Sequence, residues 1–248
     1  IAGPFAKTEL FLNTGRGLHS NDARGTTTTV DPRSGDPVNK VPVLVASRGA
    51  EVGVRTEAVP GLQSSLALWR LHVDSELVYV GDAGVTEPSL ASIRRGVEVN
   101  NRWQPRQWLL FDADLAWTHA RFDNGDRIPN AVDRVGSVAA TLRDLGPWST
   151  SVQLRYLGSG ALIEDNSVRS IPSVTTNWRL SRRTNEWFGR GSEITLDVFN
   201  VGNRKVNDIQ YFYESRLPGE LGAVADRHVH PAEPRTVRLT IRIPLSPS

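Results

Sequence analysis

Apolar residues recur at every second position in ten separate runs of this chain, and stretches rich in Gly, Pro, Asn and Asp divide the runs. A period of two sends successive side chains to opposite faces of an extended backbone, so each run is predicted to be a half-apolar β-strand. The last is the cleanest: over 235–245, Val237, Leu239, Ile241, Ile243 and Leu245 fall on one side and Arg238, Thr240 and Arg242 on the other. Its β-branched residues favour strand over helix. The first run, 7–17, sets Leu10 and Leu12 against Glu9, Phe11 and Asn13, and the second, 48–58, sets Val52 and Val54 against Glu51, Gly53 and Arg55. The run 63–81 is ambiguous in phase, with Leu66 and Leu68 on one face and Trp69, Leu71 and Val73 on the other; a bulge or a change of environment would explain it. Further runs follow at 92–105, 107–120, 134–144, 149–158, 173–183 and 192–203, and two aspartates, Asp112 and Asp114, stand on the polar side of the fifth.

The turns between runs alternate in length. VPGL, QPR, LGPW and TNEWFGRG are short, whereas 19–42, 82–92, 121–133, 159–172 and 203–234 are long and polar. Strands of about 9–11 residues are long enough to cross a bilayer when tilted. Short turns at one end and long loops at the other are the pattern of an outer-membrane β-barrel. The polar faces carry Arg, Asp, Glu and Asn with almost no Lys, groups that pair across a wet lumen. Trp103, Trp108, Trp148 and Trp187 sit at or beside the short turns, where an interfacial aromatic girdle would put them; scattered core tryptophans are the plainer account. The predicted fold is therefore an all-β antiparallel transmembrane barrel, with a soluble β-sandwich as the alternative.

Composition narrows the classes. In 248 residues, 39% are hydrophobic and 23% charged, and no apolar run approaches the length of a spanning helix, which excludes a helical membrane protein. No cysteine is present, so disulfides, thiolate metal sites and cysteine nucleophiles are excluded together. A net charge of +2 without a basic block gives no reason to expect nucleic acid. The opening IAGPFAKTEL has no leader pattern and the chain has no Met, from which a mature chain or a fragment lacking its N-terminal part is expected.

Several stretches taken in order resemble a known family: ELFLNTGRGLHSNDARG, AVPGLQSSLALWRLHVDSELVYVGDAG with EPS, LIEDNSVRS, LDVFNVGNRKVNDIQYFYESRLPGE and HVHPAEPRTVRLTIRI. Together they are similar to the C-terminal half of TonB-dependent outer-membrane receptors, over nearly the whole chain. The resemblance implies a 22-stranded barrel, of which residues 1–248 would be the C-terminal part. It implies location in the bacterial outer membrane among lipid, insertion by the barrel-assembly machinery, and ligand-gated uptake of a scarce nutrient such as an iron–siderophore complex. It also implies an N-terminal plug domain, absent from this stretch, through which the TonB complex would act. Receptors of this type usually end on an aromatic residue, and Leu245 holds that place here. With only ten strands, an open curved sheet with unpaired edges is expected. A passive porin or adhesive barrel remains open as the second function.

No catalytic constellation or cofactor motif is present, and the small-molecule ligand is expected at the loops. His228 and His230 have the i, i+2 spacing that puts two imidazoles on one face of a strand, which suits a metal or a metal chelate; local packing is the simpler account, since two ligands do not make a site. Asp123, Asn124, Gly125 and Asp126 lack the full calcium-loop pattern and read as a turn. Tyr211, Phe212, Tyr213 and Arg216 could stack on or clamp a planar or anionic ligand, or belong to an interfacial belt. His19, Asp22 and Arg24 in the first long loop, and Glu164, Asp165, Asn166 and Arg169 in another, are the remaining substrate candidates, against solvated charge. Asp112, Asp114, Arg155, Arg179, Asp197, Arg238 and Arg242 form the expected lumen set, pairing across strands and meeting the plug.

Overall fold

The computed structural model describes residues 5–21, 26–30, 35–37, 42–75, 78–80, 85–87, 90–184 and 191–244. The strands are β1 (Thr8–Ser20), β2 (Leu44–Thr56), β3 (Leu62–Val73), β4 (Val78–Val80), β5 (Val85–Glu87), β6 (Ser92–Arg106), β7 (Leu109–Phe122), β8 (Arg134–Leu145), β9 (Trp148–Leu157), β10 (Ser173–Thr184), β11 (Ser192–Phe199), β12 (Asn207–Ser215), β13 (Val224–Pro231) and β14 (Thr236–Arg242). Ten of them form one antiparallel sheet in the order β1-β2-β3-β6-β7-β8-β9-β10-β11-β14, and β4-β5 and β12-β13 are separate hairpins. All ten runs read from the alternation became strands of that sheet. Its edges, β1 and β14, do not pair with each other, so the sheet is open as expected.

The register explains why alternation was legible. Leu10, Val54, Leu66, Val99 and Leu115 stand in one cross-strand row, and Leu12, Val52, Leu68, Val97 and Trp117 in the next. This face has no second layer over it: Leu12 is 69% exposed and Leu239 65%. A water-soluble sandwich would bury such rows between two sheets, so the sandwich alternative does not describe this architecture.

The phase of 63–81 is settled without a bulge. β3 pairs in unbroken register with β2 and β6, leaving Leu66 and Leu68 on the apolar face and Trp69, Leu71 and Val73 on the other. The run does not continue to 81; β3 stops at Val73, and 78–80 belong to a hairpin. Apolar side chains suit this opposite face because glycines oppose them. Phe11 lies across from Gly53 and Trp69 across from Gly96, and each ring covers the space a Cβ would take.

The short turns have local causes. Between β2 and β3, Leu62 N–H donates to Val59 O at 3.0 Å across Pro60 and Gly61, whose φ of 75° is the left-handed value that a type II turn needs. The β6–β7 register shifts between Trp103 and Arg106, around Pro105, which has no N–H to give the ladder. Trp103 and Trp148 are exposed beside these turns, Trp103 stacking on Phe111 at 5.7 Å and Trp148 receiving the Arg182 guanidinium at 5.5 Å. Trp108 is also exposed there, while Trp187 lies outside the described residues.

Candidate ligand-capture surface

The long connections gather at the end of the sheet opposite the short turns, and three of them form one hydrogen-bonded lobe. The 123–133 and 158–172 connections bind each other through their backbones: Arg127 N–H to Glu164 O at 2.8 Å, Asn130 N–H to Ala161 O at 2.8 Å, and a bridge between Val132 and Gly160. Beneath them Ile128 packs with Ala120 and Phe122 from the polar face of β7, a small buried apolar cluster that holds the 123–133 connection over the sheet.

Arg169 is the polar hub of this lobe. Its guanidinium donates to Asp133 Oδ2 at 2.5 Å, to Ser159 Oγ and Ser159 O at 3.1 Å each, and to Asn166 Oδ1. Arg127 approaches the other Asp133 oxygen at 3.8 Å. Arg169 and Asn166, both expected to meet substrate, are bonded to each other within the lobe, Asn166 through its side-chain oxygen. Asp165 Oδ1 accepts the Ser167 N–H at 2.9 Å, and that backbone bond with the Ser167 hydroxyl holds its carboxyl below the usual carboxylate range. Glu164 contributes its carbonyl to the Arg127 N–H.

The β12–β13 hairpin, unseen in the alternation, docks on this lobe. Gln210 is buried and its amide both accepts from Ile171 N–H and donates to Ile171 O, each at 3.0 Å. Arg227 adds a bond to Arg169 O at 2.9 Å. The residues alternating with Gln210 and Arg227 point the other way, and these are Tyr211, Tyr213, His228 and His230. Tyr213 stacks on His228 with centroids 3.9 Å apart, and Tyr211 meets His230 edge-on at 6.1 Å. Two candidate groups read separately from the sequence are therefore one aromatic ladder. Ser215 Oγ lies 3.3 Å from His228 Nε2. Among the described residues no group of three His, Asp or Glu side chains could hold a metal ion.

The other candidates divide. His19 lies near the long-loop end of β1, opposite Val45 on the polar face. Asp22 and Arg24 lie outside the described residues. Arg216 closes the β12–β13 turn on itself, donating to Glu220 O at 3.0 Å, while Phe212 lies on the Gln210 side of the hairpin. On the polar face, Asp197 is nearly buried and accepts from Arg179 Nε at 2.6 Å and from Arg238 Nη2 at 3.0 Å. The pairing expected of the other members is not formed. Asp112 and Asp114 stand opposite Arg102 and Asn100, and Arg242 opposite Glu193, without an ion pair or hydrogen bond among the described residues, and Arg155 likewise makes none.

The sequence missed Asn200 and Asn203 as determinants of the loop that carries the hairpin. Both adopt left-handed φ, 49° and 47°, directly after β11. Buried Asn200 accepts from Arg204 N–H and donates to Arg204 O, both at 2.9 Å, and Asn203 accepts from Arg235 N–H at 3.0 Å. The signal was the spacing of Asn around Gly in FNVGN, since Asn tolerates the left-handed region better than other side chains.

A family model described as TonB dependent receptor-like, beta-barrel, matches residues 7–201. The chain belongs to this TonB-dependent receptor family. Its barrels lie in the outer membrane, and its members are transporters, not enzymes. The fold is also similar to solved receptors. The ferric-catecholate import receptor Fiu from K12 E. coli matches with a TM-score of 0.68 and 16% identity, covering 96% of this chain and 33% of that one. The ferric yersiniabactin uptake receptor FyuA from Yersinia pestis matches at 0.68 and 17%, with 97% and 35% covered. The siderophore receptor PiuA from Acinetobacter baumannii matches at 0.68 and 13%, with 96% and 34% covered. The chain thus spans about a third of the length of these receptors. A search of the curated proteins returned no match.

Proposed function

We propose that residues 1–248 are the C-terminal part of the 22-stranded barrel of a receptor that imports a nutrient chelate, an iron–siderophore complex being the leading class. The apolar rows meet outer-membrane lipid, and the polar face lines a lumen that a plug domain closes. An isolated Arg facing lipid at the midplane costs about 2–4 kcal/mol, which favours this orientation for Arg179 and Arg238. The barrel-assembly machinery inserts the whole barrel, and the TonB complex works through the plug. The observation that carries the reading is the Tyr211–Tyr213–His228–His230 ladder, displayed on a hairpin tied to two other long loops. Stacked rings on a braced surface offer a planar face to an aromatic chelate at little entropic cost. The receptors of similar fold carry names of ferric-catecholate, ferric-yersiniabactin and siderophore uptake.

The test is TonB-dependent accumulation by cells expressing the intact receptor, offered iron chelates, cobalamin, haem and saccharides in turn. Uptake of one iron chelate that needs both the receptor and TonB is expected. Flux that persists without TonB overturns the proposal in favour of a passive barrel.

A further inference from the structure

The apolar face changes character toward the long loops. Beyond the row of Leu12, Val52, Leu68 and Val97, the next same-face position on β3 and β6 is the pair Arg70 and Arg95, and the position after that on β1 and β2 is the pair Arg16 and Arg48. In each pair the two arginines stand directly opposite in register, an arrangement that destabilises a ladder unless the charge is neutralised. All four are exposed, and among the described residues none pairs with an acidic side chain. The neighbouring Arg121 and His72 are engaged. Arg121 donates to His119 Nε2 and to Gly125 O, each at 2.9 Å, and His72 lies 3.1 Å from Asp74 and 3.7 Å from Asp123.

Two open grooves run among these guanidinia. One, about 420 Å³, is lined by Arg16, Arg48, Arg70 and His72 over a floor that includes Gly15 and Gly49. The other, about 540 Å³, is lined by Arg70, Arg95, His119 and Arg121, with Asp123 the carboxylate on its wall. Two residues of strand advance about 7 Å, so the guanidinia lie within one or two such steps of side chains that need hydrocarbon around them. That is headgroup depth in a bilayer, on the side away from the lumen.

We propose that this arginine cluster seats the phosphate groups of a lipid headgroup in the leaflet at the long-loop end, with the acyl chains running down the Leu12, Val52, Leu68 and Val97 surface. The guanidinium fork binds phosphate oxygens in pairs, and one phosphate lying between Arg16 and Arg48, or between Arg70 and Arg95, turns a repulsive pair into a bridged one. The inference rests on the membrane orientation proposed above.

The test uses the intact receptor in non-ionic detergent, with native mass spectrometry reading retention of bisphosphorylated lipid A against the dephosphorylated lipid. The bisphosphorylated lipid is expected to bind at least about tenfold more tightly. Replacing Arg16, Arg48, Arg70 and Arg95 together by Gln should abolish that preference, replacing them by Lys should retain most of it, and Arg102→Gln on the opposite face should leave it unchanged. Equal retention of the two lipids, an undiminished preference in the Gln variant, or displacement by inorganic phosphate as effective as by the lipid overturns the proposal. A receptor that stays soluble without detergent overturns the membrane orientation as well, so the two failures are distinguishable.

Discussion

The indole of Trp69 lies over Gly96, its partner across the β3–β6 ladder, so closely that a methyl group on Gly96 would stand 2.6 Å from Cζ2. The backbone carbonyl of Trp117 would stand 2.7 Å away on the other side. Gly96→Ala should therefore destabilise the intact barrel by about 1–3 kcal/mol, the usual cost of overpacking. Trp69→Ala removes the obstruction to the ring but not to the carbonyl. The double variant should lose less than the sum of the two single variants, as contacting residues do. Denaturant unfolding from micelles measures the cycle, and strict additivity would show that the ring and the glycine do not interact.

Asp197 holds two guanidinia, those of Arg179 and Arg238, in one row of the polar face. Asp197→Asn leaves the two cations with no carboxylate between them. Losing one partner of a fully buried pair costs about 3–5 kcal/mol, but both arginines are about half exposed, which lowers the expected loss to about 1–3 kcal/mol. Arg238→Gln should cost less, because Arg179 still neutralises the carboxylate. An Asn variant as stable as the parent in the same unfolding measurement would contradict this.

Why the strands could be read and the lobe could not follows from what each residue packs against. A spanning strand meets one apolar and one polar medium along its whole length, so Leu10, Leu12 and their partners repeat with period two. The β12–β13 hairpin does not divide two media: one side is held by hydrogen bonds from Gln210 and Arg227 to another loop, and the sequence Tyr211, Phe212, Tyr213 shows no alternation. Its register was invisible, and with it the convergence of the tyrosines on the histidines. Arg169 was legible as a charged loop residue, but its partner Asp133 lies 36 positions away, and no local pattern links them.

The pairing of Arg169 with Asp133 gives the lobe its own prediction. Arg169→Ala removes bonds to one carboxylate, one amide and Ser159, and leaves Asp133 with only the more distant Arg127. Hydrogen bonds to charged groups contribute about 1.5–3 kcal/mol each, so a local loss near 2 kcal/mol is expected, or roughly thirtyfold faster amide exchange over 158–172. Exchange in β6 and β7 should not change. Uniform acceleration across the sheet would mean that Arg169 supports the barrel as a whole.

Tyr213 and His228 are the part of the lobe proposed above to meet a ligand. Their rings stack on the face of the hairpin opposite Gln210, while Arg169 is bonded inside the loops and the side chains of Asn166 and Arg216 each make one bond there. Aromatic contacts of this kind contribute about 0.5–1.5 kcal/mol, so Tyr213→Ala or Tyr211→Ala in the intact receptor should weaken binding of the transported chelate about threefold to tenfold. Tyr213→Phe keeps the ring and should bind like the parent, which separates stacking from a hydrogen bond by the phenol. Gln210→Ala should act differently: it unties the hairpin from Ile171, so binding weakens while exchange at 207–215 rises. Fluorescence titration with the iron-loaded chelate provides the affinities. If both tyrosine variants bind as the parent does and only Gln210→Ala weakens binding, the ladder is a brace for the hairpin and the ligand contacts lie on other loops.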